Sequence, residues 1–475
     1  MKPMIQENAR SIAPATPLQV VQRSRPMLLM ERTMYREGRT PFASIFTIKL
    51  SGRLEAGRLH RALERVQAKH PLLRCTVEES AGRPQFVLQK RPAPIPLHTV
   101  ERIGEDDWQA EVRREWILPF DTKQGPLVRF VWLRSSDVHE LILVAHHCIC
   151  DGYTGINLLH ELLGVYDQPQ QDLGQYEMLG AVEDIVPSVV LNDRAVQSSV
   201  RRKELQFRLM LILKRFTPRK KPAPRVLPEQ MYFYRWYLDR DASTALTKRC
   251  STEGVTVLAA AGMAFMQAFR DVRGLSGLQQ SYTMVNARRF LPQLRADAMF
   301  GLVPGIPLLM KDIPAANDMA IDSFWTRARA VKADMSAKIG RLGARLYKNL
   351  LTLESMHDRY ASMVADTENA PVVRHVTFSN MGRIDLSQQY REFRIEAVYS
   401  PLVMVSPSPA NTIVLSSFAG QMEFAIISDE VALPYAQART IEQRAMQILH
   451  TAVALPVQKT QETASKANAM RPKTI

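Results

Sequence analysis

Hydrophobic residues along this 475-residue chain switch repeatedly between a period of two and a period near 3.6, and that rhythm restricts the fold to the α/β class. Phe42 to Leu50 alternates as a strand does, Ser51-Gly52 turns, and Leu54 to His70 carries Leu59, Leu63 and Val66 at helical spacing. Strand patterns recur at 73–78, 85–89, 127–133 and 141–147. A short helix is expected over Asp106 to Trp116, and another after Asp151-Gly152 with Leu158, Leu159, Leu162 and Leu163 on one side. The pattern weakens near Asp184, and a basic, Pro-containing stretch follows. The rhythm then resumes with a strand over Met231 to Leu238, helices over 242–250 and 255–270, a strand at 280–285 and a helical stretch from Phe324 to about Tyr360. Four late strands (372–379, 395–399, 412–417, 421–427) and a helix from Tyr435 to about Val453 close the chain. The expectation is a lobe over 15–185, a basic amphipathic connector over 186–228 and a second lobe over 229–456. Flexible termini are expected at 1–14 and 457–475.

Charge narrows the functional classes once it is located. The net +15 raises nucleic acid, an anionic membrane, an acidic protein or an anionic cofactor as partners. Ten basic residues and one acid, Glu204, fall between Arg201 and Arg225, a net +9, and the tail from Val457 adds a further +3. The two lobes are therefore near neutral. Leu205, Leu209, Ile212 and Phe216 recur at helical spacing within the basic stretch, while Arg201, Arg208 and Arg215 lie seven apart on another side. With Arg202 and Lys214, these cations are candidates for docking to an anionic membrane or an acidic carrier. The plain alternative is a helix whose apolar side packs on its own lobes. Phe207 and Phe216 are too few aromatics for stacking on bases, so no nucleic acid partner is expected.

Four cysteines in so long a chain form no disulfide framework and no CxxC pair, which fits a reducing interior. The N-terminus has no continuous apolar core of a secretory signal. The apolar run from Val255 to Phe269 is too short to span a bilayer and reads as a buried core helix. A cytoplasmic monomer, peripheral on the inner membrane face if the connector docks there, is the expectation. No Walker A loop, GxGxxG or HExxH occurs, so nucleotide and zinc-protease chemistry have no support.

One stretch concentrates chemistry: Leu141-Ile-Leu-Val-Ala-His-His-Cys-Ile-Cys-Asp-Gly152. An apolar strand delivers His146 and His147 at its end, and alternation sends the two rings to opposite sides, so only one serves a given cavity. A neutral histidine suits removal of a proton from an attacking hydroxyl or amine, and a glycine in the adjoining loop lets a backbone N–H approach an oxyanion. A histidine pair here also serves simply as core hydrogen-bonding groups. Metal binding by His146, His147, Cys148, Cys150 and Asp151 is disfavoured, because alternation scatters them and no second cluster completes a tetrahedral set.

His146-His147-Cys148-Ile149-Cys150-Asp151-Gly152 resembles the HHxxxDG motif of the condensation-domain superfamily. That superfamily includes nonribosomal peptide condensation domains, mycobacterial polyketide-associated acyltransferases, wax ester/diacylglycerol acyltransferases and, more distantly, chloramphenicol acetyltransferase. Leu118-Pro119-Phe120-Asp121 with Gly125-Pro126-Leu127-Val128-Arg129 is similar to the superfamily's PFD…GPLxR segment. His70-Pro71-Leu72-Leu73-Arg74 resembles HPxLR, Val285-Asn286-Ala287-Arg288-Arg289 resembles VNxR, and Ser379-Asn380-Met381-Gly382 resembles SNxG. These segments run in family order from about residue 15 to 455, and the N-terminal region resembles the polyketide-associated group most.

The resemblance implies two chloramphenicol-acetyltransferase-like lobes in a V, with the active site in a tunnel between them. His147 would be the general base, Gly152 an oxyanion donor, and Asp151 the partner of Arg288, which with His146 supports the site. Asn286, Ser379 and Asn380 would line the tunnel. The implied activity is acyl transfer from a coenzyme A or phosphopantetheinyl carrier-protein thioester to a hydroxyl, less readily an amine, on a hydrophobic acceptor in lipid, polyketide or other secondary metabolism. No bound cofactor and no metal are implied. Tyr399 to Pro409 shows no DFGWG, the late motif of peptide-forming members, and no carrier segment is recognisable, so a free-standing enzyme is expected. The alternatives are a peptide-bond-forming condensation enzyme and a catalytically silent binding protein.

Overall fold

The computed structural model describes residues 23–38, 42–80, 82–180, 182–214, 226–227, 230–274, 277–295, 297–309, 321–368, 375–403 and 411–454. The expected termini at 1–14 and 457–475, and Arg215, lie outside them. The first half runs β1 (Ser24–Pro26), α1 (Leu29–Tyr35), β2 (Ala43–Gly52), α2 (Ala56–Lys69), β3 (Cys75–Ser80), β4 (Arg83–Leu88), β5 (Leu97–Glu101), α3 (Asp107–Ile117), β6 (Val128–Arg134), β7 (Val138–His146) and α4 (Gly152–Asp167). Helices α5 (Val182–Ile185), α6 (Ser188–Leu191) and α7 (Arg194–Lys214) connect the halves. The second half runs β8 (Met231–Leu238), α8 (Arg240–Thr252), α9 (Val257–Arg273), β9 (Gln280–Met284), β10 (Gly305–Pro307), α10 (Ile321–Glu354), α11 (Tyr360–Glu368), β11 (His375–Arg383), β12 (Phe393–Val398), β13 (Leu402–Val403), β14 (Asn411–Phe418), β15 (Gln421–Asp429) and α12 (Tyr435–Ala454).

Two large mixed sheets organise these elements. The first has the order β12-β2-β7-β6-β5, with β13 also on β2, and the second β10-β9-β11-β14-β15-β8. A small sheet, β1-β4-β3, flanks the first. Strands β12 and β13 come from the second half of the sequence, so a cut near residue 229 does not separate two self-contained sheets.

Strand β7 is apolar on both faces because both are covered. Leu141, Leu143 and Ala145 join the core beneath α2 and α4. Ile142 and Val144 join a second apolar layer with Trp108 and Trp116 of α3 and with Phe233, Val414 and Ile427 of the other sheet. The two halves thus share a hydrophobic layer. Helix α9 is buried along Leu258 to Phe269, as a core helix must be when it is apolar all round. No single helix among the described residues is long and apolar enough to cross a membrane.

Three elements, β5, β1 and α1, are not expected from periodicity. Strand β5 carries mostly exposed residues. In β1 and α1, Arg25 is fully buried and paired bidentately with Glu31 at 2.6 Å, and Glu31 also accepts the Leu28 N–H at 2.9 Å. A buried ion pair reads as polar surface in a sequence.

Helix α4 lies unusually close to β2. A Cβ at Gly155 would stand 2.2 Å from the ring of the buried Phe46. Gly155→Ala is therefore expected to cost about 1–3 kcal/mol through overpacking. Chemical denaturation of the variant checks this, and pairing it with Phe46→Leu should recover part of the loss.

Candidate functional site

The site forms where β7 ends and α4 begins. At the last residue of β7 the His146 N–H donates to the Leu127 carbonyl, and the chain then turns so that the His147 N–H donates to the Phe42 carbonyl at 2.7 Å. The rings part as alternation predicts. His146 lies against Phe120 and Tyr35, with centroids 5.4 and 6.0 Å away, and its Nδ1 accepts the Cys148 N–H at 3.3 Å. Burial, reinforced by His147 and Arg129, pushes its pKa down to about 3, so it is a neutral packing group. Phe120 belongs to the Leu118–Asp121 segment, and its contact with His146 explains why that segment accompanies the motif.

His147 turns toward Phe42, 5.3 Å between centroids, and its Nδ1 lies 2.6 Å from the Cys150 carbonyl oxygen. A carbonyl only accepts, so Nδ1 carries the proton and Nε2 keeps its lone pair. Burial lowers the pKa of the ring below the usual histidine value, opposed by the Cys150 carbonyl and the Asp151 charge. His147 is a neutral, oriented base at neutral pH.

Asp151 caps α4. Its Oδ1 accepts the Thr154 N–H and the Thr154 hydroxyl, each at 2.9 Å. Its Oδ2 meets the Arg288 guanidinium at 2.5 Å, and the other arm of Arg288 donates to Thr154 Oγ1 at 2.7 Å and to the Phe300 carbonyl at 2.6 Å. All three side chains are buried. Thr154, which motif reasoning missed, is visible afterwards as the D-x-x-T spacing of a helix cap.

Gly152 is the first residue of α4, where the backbone N–H has no intrahelical acceptor. A Cβ there would lie 2.6 Å from the Met381 sulfur, so the second half of the chain reaches this turn through the β11 bulge between Asn380 and Gly382. Of the residues expected to line the tunnel, Asn286 is exposed and its Oδ1 accepts the Arg288 N–H at 3.0 Å. Asn380 is exposed and its Oδ1 accepts the Gly382 N–H at 3.1 Å, while Ser379 is half-buried opposite Val414. Both asparagines shape turns. Cys148 and Cys150 are fully buried thiols that burial pushes toward the protonated form.

Arg201, Arg202, Arg208 and Lys214, expected to dock a membrane or a carrier, lie on α7 and not on the turn between β7 and α4. Arg201 and Arg202 are exposed on α7, Arg208 pairs with Glu204 and lies 3.4 Å from Asp358, and the side chain of Lys214 lies outside the described residues.

Residues 15–176 match the family model described as Condensation domain. The first third of the chain is thus similar in sequence to condensation domains. Similar sequences include chondramide synthase of Chondromyces crocatus, 36% identical over 115 residues, and surfactin synthase subunit 2 of Bacillus subtilis, 32% identical over 123 residues. These alignments cover 23% and 26% of this chain and 3% of each relative, so the chain spans a small fraction of the curated relatives it matches. Similar solved structures cover nearly all of it. Polyketide synthase associated protein 5 of Mycobacterium tuberculosis superposes with a TM-score of 0.62 at 17% identity, over 90% of this chain and 98% of that one. Trichothecene 15-O-acetyltransferase of Fusarium sporotrichioides gives 0.69 at 14% identity, over 94% and 100%. The condensation-domain fold thus extends across both halves, while the sequence match is confined to the first.

The buried Asp151–Arg288 pair generates a stability prediction. Asp151→Ala leaves Arg288 buried without its counter-charge and is expected to cost about 3–5 kcal/mol in urea denaturation. Combining it with Arg288→Met removes both charges and should restore part of that loss.

Proposed function

We propose that this chain transfers an acyl group from a thioester donor, held on coenzyme A or a phosphopantetheinyl carrier protein, to a hydroxyl on a hydrophobic acceptor. The observation that carries this reading is the His147 Nδ1 contact with the Cys150 carbonyl, which leaves Nε2 as a buried proton acceptor beside a helix N-terminus. His147 takes the acceptor's proton as its oxygen attacks the thioester carbonyl. A carbon–oxygen bond forms, and the N–H of Gly152 receives the developing oxyanion. Collapse breaks the carbon–sulfur bond, and the proton passes from His147 to the departing thiolate. No acyl-enzyme is needed. Asp151 and Arg288 hold the turn, and His146 packs behind it.

Support comes from the condensation-domain match over residues 15–176 and from the name of one structural neighbour, an O-acetyltransferase. A second reading, peptide-bond formation between carrier-bound substrates, is favoured by the sequence matches to peptide synthetases such as surfactin synthase subunit 2. Amine and hydroxyl acceptors offered with the same acyl thioester separate the two by which product accumulates.

His147→Ala is expected to reduce thiol release from acyl thioesters with acceptor by about 100-fold or more, with an unchanged melting temperature. Full activity in that variant would overturn the assignment. The pH profile supplies a second check. Because the folded-state pKa of His147 lies below its ordinary value of about 6.5, the acid limb of kcat/KM should fall below pH 6.5 and leave the rate flat through neutrality.

A further inference from the structure

Helix α7 presents two different faces. Its inner face packs on α10 and the segment after it: Phe207 joins the cluster of Leu29, Met356 and Tyr360, Lys203 donates to Asn349 at 3.2 Å, and Arg208 faces Asp358. Its outer face carries Leu205, Leu209, Met210, Ile212 and Leu213, each between 50% and 66% exposed. Of the apolar residues expected at helical spacing, Leu205, Leu209 and Ile212 therefore lie exposed, Phe216 lies outside the described residues, and Phe207, off that stripe, packs inward.

A helix merely solvated on its outside places polar residues there, and five large aliphatics over two turns, about 12 Å, do not fit that role. Cations surround them. Arg201 and Arg202 are exposed one turn earlier on α7, and Arg341 and Arg345 are exposed on the neighbouring α10. Lys203 loses proton affinity through burial and through the charges of Lys348 and Arg345, which shows that positive charge accumulates where the two helices meet. Between Arg201 and Arg225 the sequence holds one acid, Glu204, and it is spent on Arg208.

We infer that the outer face of α7, with the adjoining basic residues of α10, is a docking surface for an anionic lipid bilayer. The aliphatics enter the interface between headgroups and acyl chains while the arginines meet lipid phosphates, the division of labour of an interfacial amphipathic helix. An acidic protein would answer the charges but has less use for five exposed large apolar side chains on one helix. Docking here is independent of the chemistry at His147.

The test is flotation of the full chain with equimolar phosphatidylglycerol–phosphatidylcholine vesicles and with pure phosphatidylcholine vesicles. The wild type should float with the anionic vesicles only, and high salt should weaken it. Leu209→Glu with Leu213→Glu, and separately Arg201→Glu with Arg202→Glu, should each lower the bound fraction about tenfold without changing the melting temperature. Absence of flotation, or flotation that survives both double variants, overturns the inference. So does concentration-dependent dimerisation in sedimentation that Leu209→Glu with Leu213→Glu abolishes while lipid binding is absent, because the face is then covered by a second copy. Saturable binding of an acidic carrier protein without flotation overturns it equally.

Discussion

The buried ion pair between Asp151 and Arg288 is the constraint on which the rest of the site depends. It joins residues 137 positions apart in sequence, and both carboxylate oxygens of Asp151 are engaged. Asp151 spends one oxygen on the cap of α4 and the other on Arg288, while Arg288 divides its donors between Asp151, Thr154 and the Phe300 carbonyl. Neither group is hydrogen-bonded to His147, whose Nδ1 is held by the Cys150 carbonyl. The carboxylate next to the histidine acts on the ring through its charge and, without a hydrogen bond to it, through the geometry of the turn. It sets where α4 starts, and through α4 it sets the direction of the Gly152 N–H.

The segment from Arg288 to Phe300 ties a second point of the same helix. Glu161, three turns along α4, receives Lys69 at 2.6 Å and lies 2.6 Å from His70 Nε2, and Lys69 also reaches Asp297 at 2.9 Å. One loop of the second half thus grips α4 at its start and, through Lys69, near its middle. The hydrophobic layer of Trp108, Phe233 and Ile427 supplies non-directional adhesion between the halves, and these two polar ties supply register. His70 opens the HPxLR segment, so a motif far from the histidine pair in sequence supports the same helix.

Much of this was legible in the sequence because the relevant signals are local. The apolar strand ending in His146, the Asp151 break and the leucine-bearing helix occupy thirty consecutive residues, and their boundaries follow from periodicity and a cap. Strand β8 was expected at Met231 to Leu238 and spans those residues. What stayed hidden is non-local or disguised. The pairing of β12 with β2 joins Phe393 to Gly52, and no periodicity encodes which sheet a strand will join. Arg25 and Glu31 bury as a pair and look like surface. The backbone N–H groups that Asn286 and Asn380 accept depend on where an amide side chain points, which periodicity does not encode.

The choice of a carbonyl to orient His147 bears on the donor. A carboxylate at Nδ1 would raise the proton affinity of the ring and stabilise its charged form, whereas a neutral carbonyl in a buried setting leaves the pKa depressed. Such a base is always ready to accept a proton but is a modest acceptor. It suits a reaction whose acyl donor is already activated, with a good leaving group, so that little proton removal is required before the carbonyl is attacked. A thioester meets that requirement and an ordinary ester or amide does not. Under the proposed function, a neutral, buried imidazole thus fits a thioester donor, and recognition of the rest of the donor falls to other parts of the fold.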